Sequence, residues 1–240
     1  SSITHCEAGD YGGGVFVDYS STSILKINGG SITMNHTKKV PSSSGHGGGV
    51  YVRGNTSTKG KVYMTSGEIS GNAAGLDGTA YKGDGGGVYT DGIFEMSGGV
   101  IKNNNAKNGG GVYTNGGFEI TGGTFSKNTA TSNGGAIYSN SGTVTLNNAT
   151  IGGTTAADAN KAADYGGGIY IDEGCSLTLK DGAKVIGNTA VSGGGVYNKG
   201  GSFEMTGGEI KSNTAKYGGG VYVKGDNARF TMSRGTIFAN

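Results

Sequence analysis

Apolar residues recur along this chain in two short blocks and never in long runs. The first block reads GG(G/A)(V/I)(Y/F) and occurs eight times, its aliphatic residue falling at Val15, Val50, Val88, Val112, Ile137, Ile169, Val196 and Val221. A second block follows each copy: an apolar residue, one residue, another apolar, three residues, an aliphatic, two residues, then Asn. It runs FEMTGGEIKSN from Phe203 to Asn213, and the same frame spans Leu25 to Asn35, Val62 to Asn72, Phe94 to Asn104, Phe118 to Asn128 and Phe230 to Asn240. Two copies deviate: Leu177 to Asn188 carries one extra residue, and Val144 to Thr154 ends in Thr. Successive first blocks are 24 residues apart at the closest, Val88 to Val112, and 38 at the widest, Val50 to Val88. A unit of about 25 residues that tolerates insertions accounts for both spacings.

Within the blocks apolar and polar positions alternate, as in Phe203, Glu204, Met205, which is the period of a strand with one buried face. The glycine and β-branched content of every unit excludes helix. Three short strands per unit, separated by Gly and Asn corners, predict an all-β chain: a right-handed parallel β-helix of about eight coils, each stacked on the last at about 4.8 Å. The expected core columns are the aliphatic of block one and Phe94, Met96, Ile101 with their equivalents. Insertions at 36 to 46, 73 to 84 and 155 to 165 are expected between the Asn and the next glycine run, the first two side by side. Residues 53 to 60 form a further insertion between the two blocks.

Composition narrows the class. Of 240 residues 53 are glycine, one is proline (Pro41), Trp is absent and 33% are hydrophobic. One proline rules out collagen and a Pro/Gly-rich linker, and a narrow core shared by stacked neighbours needs few apolar residues. No run approaches the roughly 18 apolar residues of a membrane helix. The 19 basic and 17 acidic residues are spread evenly, so neither nucleic acid nor, for this stretch, a membrane is an expected partner. Ile3, Thr4, His5, Cys6 read as the tail of a preceding second block, with Cys6 in the Asn place, and Asn240 is the last letter of another. Without a polar cap at either end, residues 1–240 are expected to be a single β-helix domain cut from a longer repeat array, whose own continuation is then a partner.

Phe125, Ser126, Lys127, Asn128 and Gly134, Gly135, Ala136, Ile137 spell FxxN and GGA(I/V/L). In this the chain resembles the repeat of the chlamydial polymorphic outer-membrane proteins, most other copies putting Ile for Phe and Gly for Ala. The resemblance runs over essentially the whole chain. It implies a secreted or cell-surface bacterial adhesin or passenger domain, extracellular in location.

Few residues offer chemistry. Cys6 and Cys175 lie more than five coils apart and cannot bridge within the chain; with His5, His36 and His46 they show no metal-ligand spacing, so no metal or cofactor is expected. If the block-one aliphatic points inward, Phe16, Tyr51, Tyr89, Tyr113, Tyr138, Tyr170, Tyr197 and Tyr222 point outward in one column. Such a column can meet sugar rings or a partner protein; the plainer reading is that the rings stack on each other and shield the strand. The terminal Asn of block two (Asn35, Asn72, Asn104, Asn128, Asn188, Asn213, Asn240) is expected to be structural, a ladder of amides satisfying backbone groups at a corner. Glu95, Glu119 and Glu204 share one place and should form an outward row, offset by Lys102, Lys127 and Lys211 on a neighbouring face.

An enzyme is the alternative, since polysaccharide lyases and glycoside hydrolases also use parallel β-helices. Gly45, His46, Gly47 echo the GHG motif of polygalacturonases, but the companion NTD, DD and RIK motifs are absent. Asp77 and Asp84 could take calcium, yet no GGxGxD nonapeptide accompanies them. Repeated carboxylates form like-charge rows that do not separate an acid from a base, leaving the non-repeating Asp158, Asp164, Asp172 and Glu173 as the one cluster for a catalytic site. An ice-binding surface would need TxT pairs in every coil, which are missing. The sequence therefore favours a non-catalytic adhesin segment, a rigid scaffold whose loops and aromatic column meet a host glycan or surface protein.

Overall fold

Alternation along each block becomes stacking between coils. In the computed structural model, which describes every residue except 42 and 43 of the expected 36 to 46 insertion, the strands form three sheets. Block one supplies an eight-stranded parallel sheet from Val15–Val17 to Val221–Lys224. Its register never slips: Val15, Val50, Val88, Val112, Ile137, Ile169, Val196 and Val221 pair in turn. Block two supplies a 13-stranded sheet bent into two arms. In Ile24–Thr33, Lys61–Ser70, Ser202–Lys211 and Arg229–Phe238 one strand runs through both arms. In the coils between, it breaks at the bend, as in Phe118–Ile120 and Gly123–Ser126. Short strands after the Asn corner build a seven-stranded sheet. The parallel β-helix of about eight coils expected from the repeat is thus the fold, three sheets matching three strands per coil.

The glycine pair makes the close stacking possible. Gly109 turns the corner at φ 61°, and a Cβ on Gly110 would lie 2.5 Å from the Gly135 carbonyl oxygen of the next coil. Inside, Val50, Val88, Val112, Ile137, Ile169 and Val196 are fully buried, as are Phe94, Ile101, Phe125, Ile151, Val185 and Ile210. Burying such a side chain is worth about 1.5–3 kcal/mol, and each contributes to both neighbouring coils, so stability accrues coil by coil.

The insertions are more ordered than loops. Residues Ala73–Asp77 and Ala80–Tyr81 form an antiparallel hairpin, and Ala74 is fully buried, so the 73 to 84 insertion begins inside the rod. It lies beside the 36 to 46 insertion, as expected: the Lys39 amide donates to the Leu76 carbonyl at 3.2 Å, and Lys39 Nζ lies 3.8 Å from Asp77. The extra residue of Leu177 to Asn188 is absorbed between two aligned pairs, Leu179 with Met205 and Lys184 with Glu209. The 155 to 165 insertion is a correction. Its 3-10 turn Ala156–Asp158 precedes the corner, and Asn160, not Thr154, closes the block-two unit of that coil.

Candidate binding surfaces

Asparagine is required at the corner because it alone fits three demands at once. Each rung donates its backbone N–H and one Nδ2–H to the Oδ1 of the rung in the next coil: Asn72 to Asn104 at 3.0 and 3.0 Å, Asn104 to Asn128 at 3.1 and 3.0 Å. The second Nδ2–H reaches back to the carbonyl of the block-two aliphatic or Phe one coil earlier, Asn104 to Ile69 and Asn160 to Phe125. The ladder is continuous through Asn35, Asn72, Asn104, Asn128, Asn160, Asn188, Asn213 and Asn240. Cys6 donates its amide to Asn35 Oδ1 at 2.9 Å, in line with its place in the motif. All the rungs but Asn240 are buried within 1% of full coverage. This is core, not a surface to which a ligand has access. Asn160 escaped the sequence reading because the insertion sits between it and its own aliphatic, Ile151; its spacing to the next glycines was the available signal.

The aromatic column stands off the core side of its sheet, in register, with centroids 4.6–5.3 Å apart and planes within 13° of parallel from Phe16 to Tyr222. Ring faces therefore point along the rod axis, each interior ring covered on both sides by its neighbours. Tyr51, Tyr138, Tyr170 and Tyr197 are buried and Tyr89, Tyr113 and Tyr222 half-buried, while Phe16 is exposed. The rings stack on one another, so what the column presents outward is edges and hydroxyls. Tyr51 Oη donates to Asp91 at 2.9 Å and Tyr138 Oη to Asp172 at 2.8 Å, while Asn115 Nδ2 donates to Tyr89 Oη at 2.8 Å. Burial holds the hydroxyls of Tyr51, Tyr89, Tyr113, Tyr138 and Tyr170 above the usual phenol range, so they stay protonated and can donate. Asp172 goes the other way. Burial would raise it, but the Glu173 amide, Tyr138 hydroxyl and Lys199 ammonium more than offset that and lower its carboxyl.

His46 of the GHG triplet is taken up in this layer. Its ring lies 4.9 Å from Tyr89 and 6.1 Å from Tyr11, and Nδ1 accepts the Asp84 amide at 3.1 Å. Asp84 Oδ1 in turn accepts the backbone and side-chain N–H groups of Asn108. Burial pushes His46 down and Asp84 up, each partly countered by the other's charge, which favours the neutral imidazole.

The remaining acids do not converge. Asp158 lies 3.7 Å from Lys127, Asp164 accepts Ser132 Oγ at 3.1 Å, and Asp172 holds Tyr138 and Lys199, three separate places along the coil. Glu95 and Glu119 are paired neighbours on the outer face, as the repeat predicts, under a depression of about 220 Å³ shared with Tyr63 and Thr121. The lysines expected to offset them are engaged elsewhere: Lys102 with Glu68 at 3.0 Å, Lys211 with Glu209 at 2.9 Å, and Lys127 with Asp158. Among the described residues no three His, Cys, Asp or Glu are grouped to hold a metal ion. Cys175 is buried, its thiol donating to the Ser139 carbonyl, and burial raises it, which leaves it unreactive.

Comparison with known proteins adds one match. Residues 122–140 match the Chlamydia polymorphic membrane protein repeat, a repeat of bacterial surface proteins. No curated protein and no solved structure matches the chain significantly. The matched stretch carries the Phe125 core residue, the Asn128 rung and the glycine corner before Ile137, so what is similar to that repeat is the unit that this fold stacks throughout.

Proposed function

We propose that this chain is a non-catalytic segment of a secreted or cell-surface bacterial adhesin, a stiff rod that holds binding loops for a host glycan or surface protein. The observation that carries this reading is the match of residues 122–140 to a surface-protein repeat whose two motifs are here the ladder and the corner of every coil. Two further features support it. The periodic side chains are spent on the ladder and the aromatic column, leaving irregularity to the insertions, three in the first three coils and one at 155 to 165, and variable loops on a rigid scaffold commonly carry recognition. The acids of the enzyme alternative lie in separate ion pairs and hydrogen bonds. A screen of the purified chain against arrayed glycans and host surface proteins should return saturable binding, and incubation with polygalacturonate should leave the polymer intact. Cleavage of a uronic-acid polymer that is lost on Asp164→Ala or Asp172→Ala would replace the adhesin reading with the enzyme one.

A further inference from the structure

The sequence contains no basic run, but the fold brings three unpaired lysines to one patch. Lys61 pairs in register with Ile24, and Lys26, two residues further along that strand, with Tyr63, so Lys26, Lys61 and Tyr63 share the outer face of coils one and two. Lys59 joins them from the 53 to 60 insertion, which the Gly54–Lys59 bridge closes into a hairpin-like loop and whose Lys59 lines one depression with Lys61. No ammonium group of the three has an ion-pair or hydrogen-bond partner among the described residues, whereas those of Lys38, Lys39, Lys102, Lys127, Lys199 and Lys211 all form ion pairs.

Hydroxyls complete the patch. Lys59 and Lys61 line a depression of about 270 Å³ together with Ser21, Thr56, Ser57, Thr58 and the apolar Ile93. The loop is held in shape by Asn55, whose Oδ1 accepts the amides of Ser57 and Thr58 at 2.8 and 2.7 Å and the Thr58 hydroxyl at 3.3 Å, which leaves Thr56 and Ser57 exposed and the Thr58 oxygen able to accept. Tyr63 differs from the tyrosines of the column in stacking on no other ring among the described residues: its register neighbours are Lys26 and Glu95. Glu95 occupies the next rung after Tyr63 and also lines a depression with Lys59, which closes the positive patch on that side.

We infer that this patch binds an anionic glycan, with sulfate or carboxylate groups on Lys26, Lys59 and Lys61, ring hydroxyls against Thr56, Ser57 and Thr58, and a sugar face on Tyr63. Free cations alone would accept any polyanion; an aromatic ring on the same outer face as Lys61, which itself borders the hydroxyl-lined depression, fits a saccharide. The inference rests on the adhesin reading for the source of its ligand, a host surface polysaccharide.

Titration of the intact chain at physiological salt tests it, with a heparin-derived octasaccharide as the probe. A chemically desulfated octasaccharide, polyglutamate and a single-stranded oligonucleotide serve as comparisons. The octasaccharide should bind, K59E/K61E should weaken it about tenfold or more, and Tyr63→Ala should weaken it too, while K180E/K184E on a later coil should not. Glu95→Gln should tighten it. Retained binding of the desulfated probe assigns the contact to carboxylates, and its loss to sulfates; either supports the patch. Unchanged affinity of both K59E/K61E and Lys26→Glu, with thermal unfolding confirming that they fold, would overturn it, as would equal binding of polyglutamate or the oligonucleotide. If the chain binds host cells undiminished by K59E/K61E, the patch fails and the adhesin reading stands. If it binds neither cells nor any glycan, both fail.

Discussion

The side-chain amide of an interior rung asparagine and its backbone N–H together make five hydrogen bonds, three donated and two accepted at Oδ1, as at Asn104. Replacing Asn104 with Ala strands the Asn72 amide, the Asn72 Nδ2 and the Ile69 carbonyl, all inside the rod. Each buried orphan costs about 1–3 kcal/mol, so Asn104→Ala should lower unfolding stability by at least about 3 kcal/mol in denaturant titration. Asn104→Asp should not rescue it, since a carboxylate keeps the acceptor but cannot donate. A loss under about 1 kcal/mol would mean that the ladder follows the fold without supporting it. His46 gives a second residue-scale test. Its pKa is lowered by burial, so the native state binds fewer protons than the unfolded one, and this contribution to stability is present above about pH 6.5 and lost as pH falls through the lower native value. The ring protons of His46 should therefore titrate in NMR below pH 6.5; a midpoint at or above it would contradict the enclosed site between Tyr11, Tyr89 and Asp84.

Elements here are columns, and the tyrosine column shows how a repeat reads and where reading stops. Alternation with Val112 or Ile137 told which side of the strand Tyr113 and Tyr138 occupy, because a strand has only two faces. It carried no information about the ring planes, which depend on the spacing between coils and the hydrogen bonds of Asp91 and Asp172. Tyr138→Ala should cost about 2 kcal/mol or more through two lost stacks and an unpaired Asp172 oxygen, and Tyr138→Phe about 1, by thermal unfolding. Equal effects of the two would show that the hydroxyl dominates. The hairpin insertion is a comparable case: the extra length before the next glycine run marked an insertion at 73 to 84, but not that Ala73 and Ala74 already belong to the corner sheet. The Lys82 amide donates to the Gly75 carbonyl at 2.9 Å, so excising residues 76 to 81 and joining Gly75 to Lys82 should preserve a single cooperative transition. A split or vanished transition would place the hairpin among the elements that hold the rod.

Over the whole molecule, the period of two apolar blocks was enough to give the fold, since each block must meet its own copy and parallel stacking does this for all eight copies at once. The same regularity limits what the sequence tells about function. Positions fixed by stacking, such as Asn128, Phe125 and Tyr170, repeat and are legible; recognition depends on what does not repeat, and Lys26, Lys59 and Lys61 meet only because a loop and two coils converge. The non-repeating acids show the converse: Asp158, Asp164 and Asp172 are close in sequence yet take separate partners, Lys127, Ser132 and Lys199, as the chain turns. Saturation binding of fluorescently labelled chain to cultured host epithelial cells at low temperature tests the central claim, that this rod is an adhesive scaffold, most directly. The account predicts saturable binding that unlabelled chain displaces and that unfolding the chain abolishes; binding that is absent, or linear and indifferent to unfolding, would contradict it.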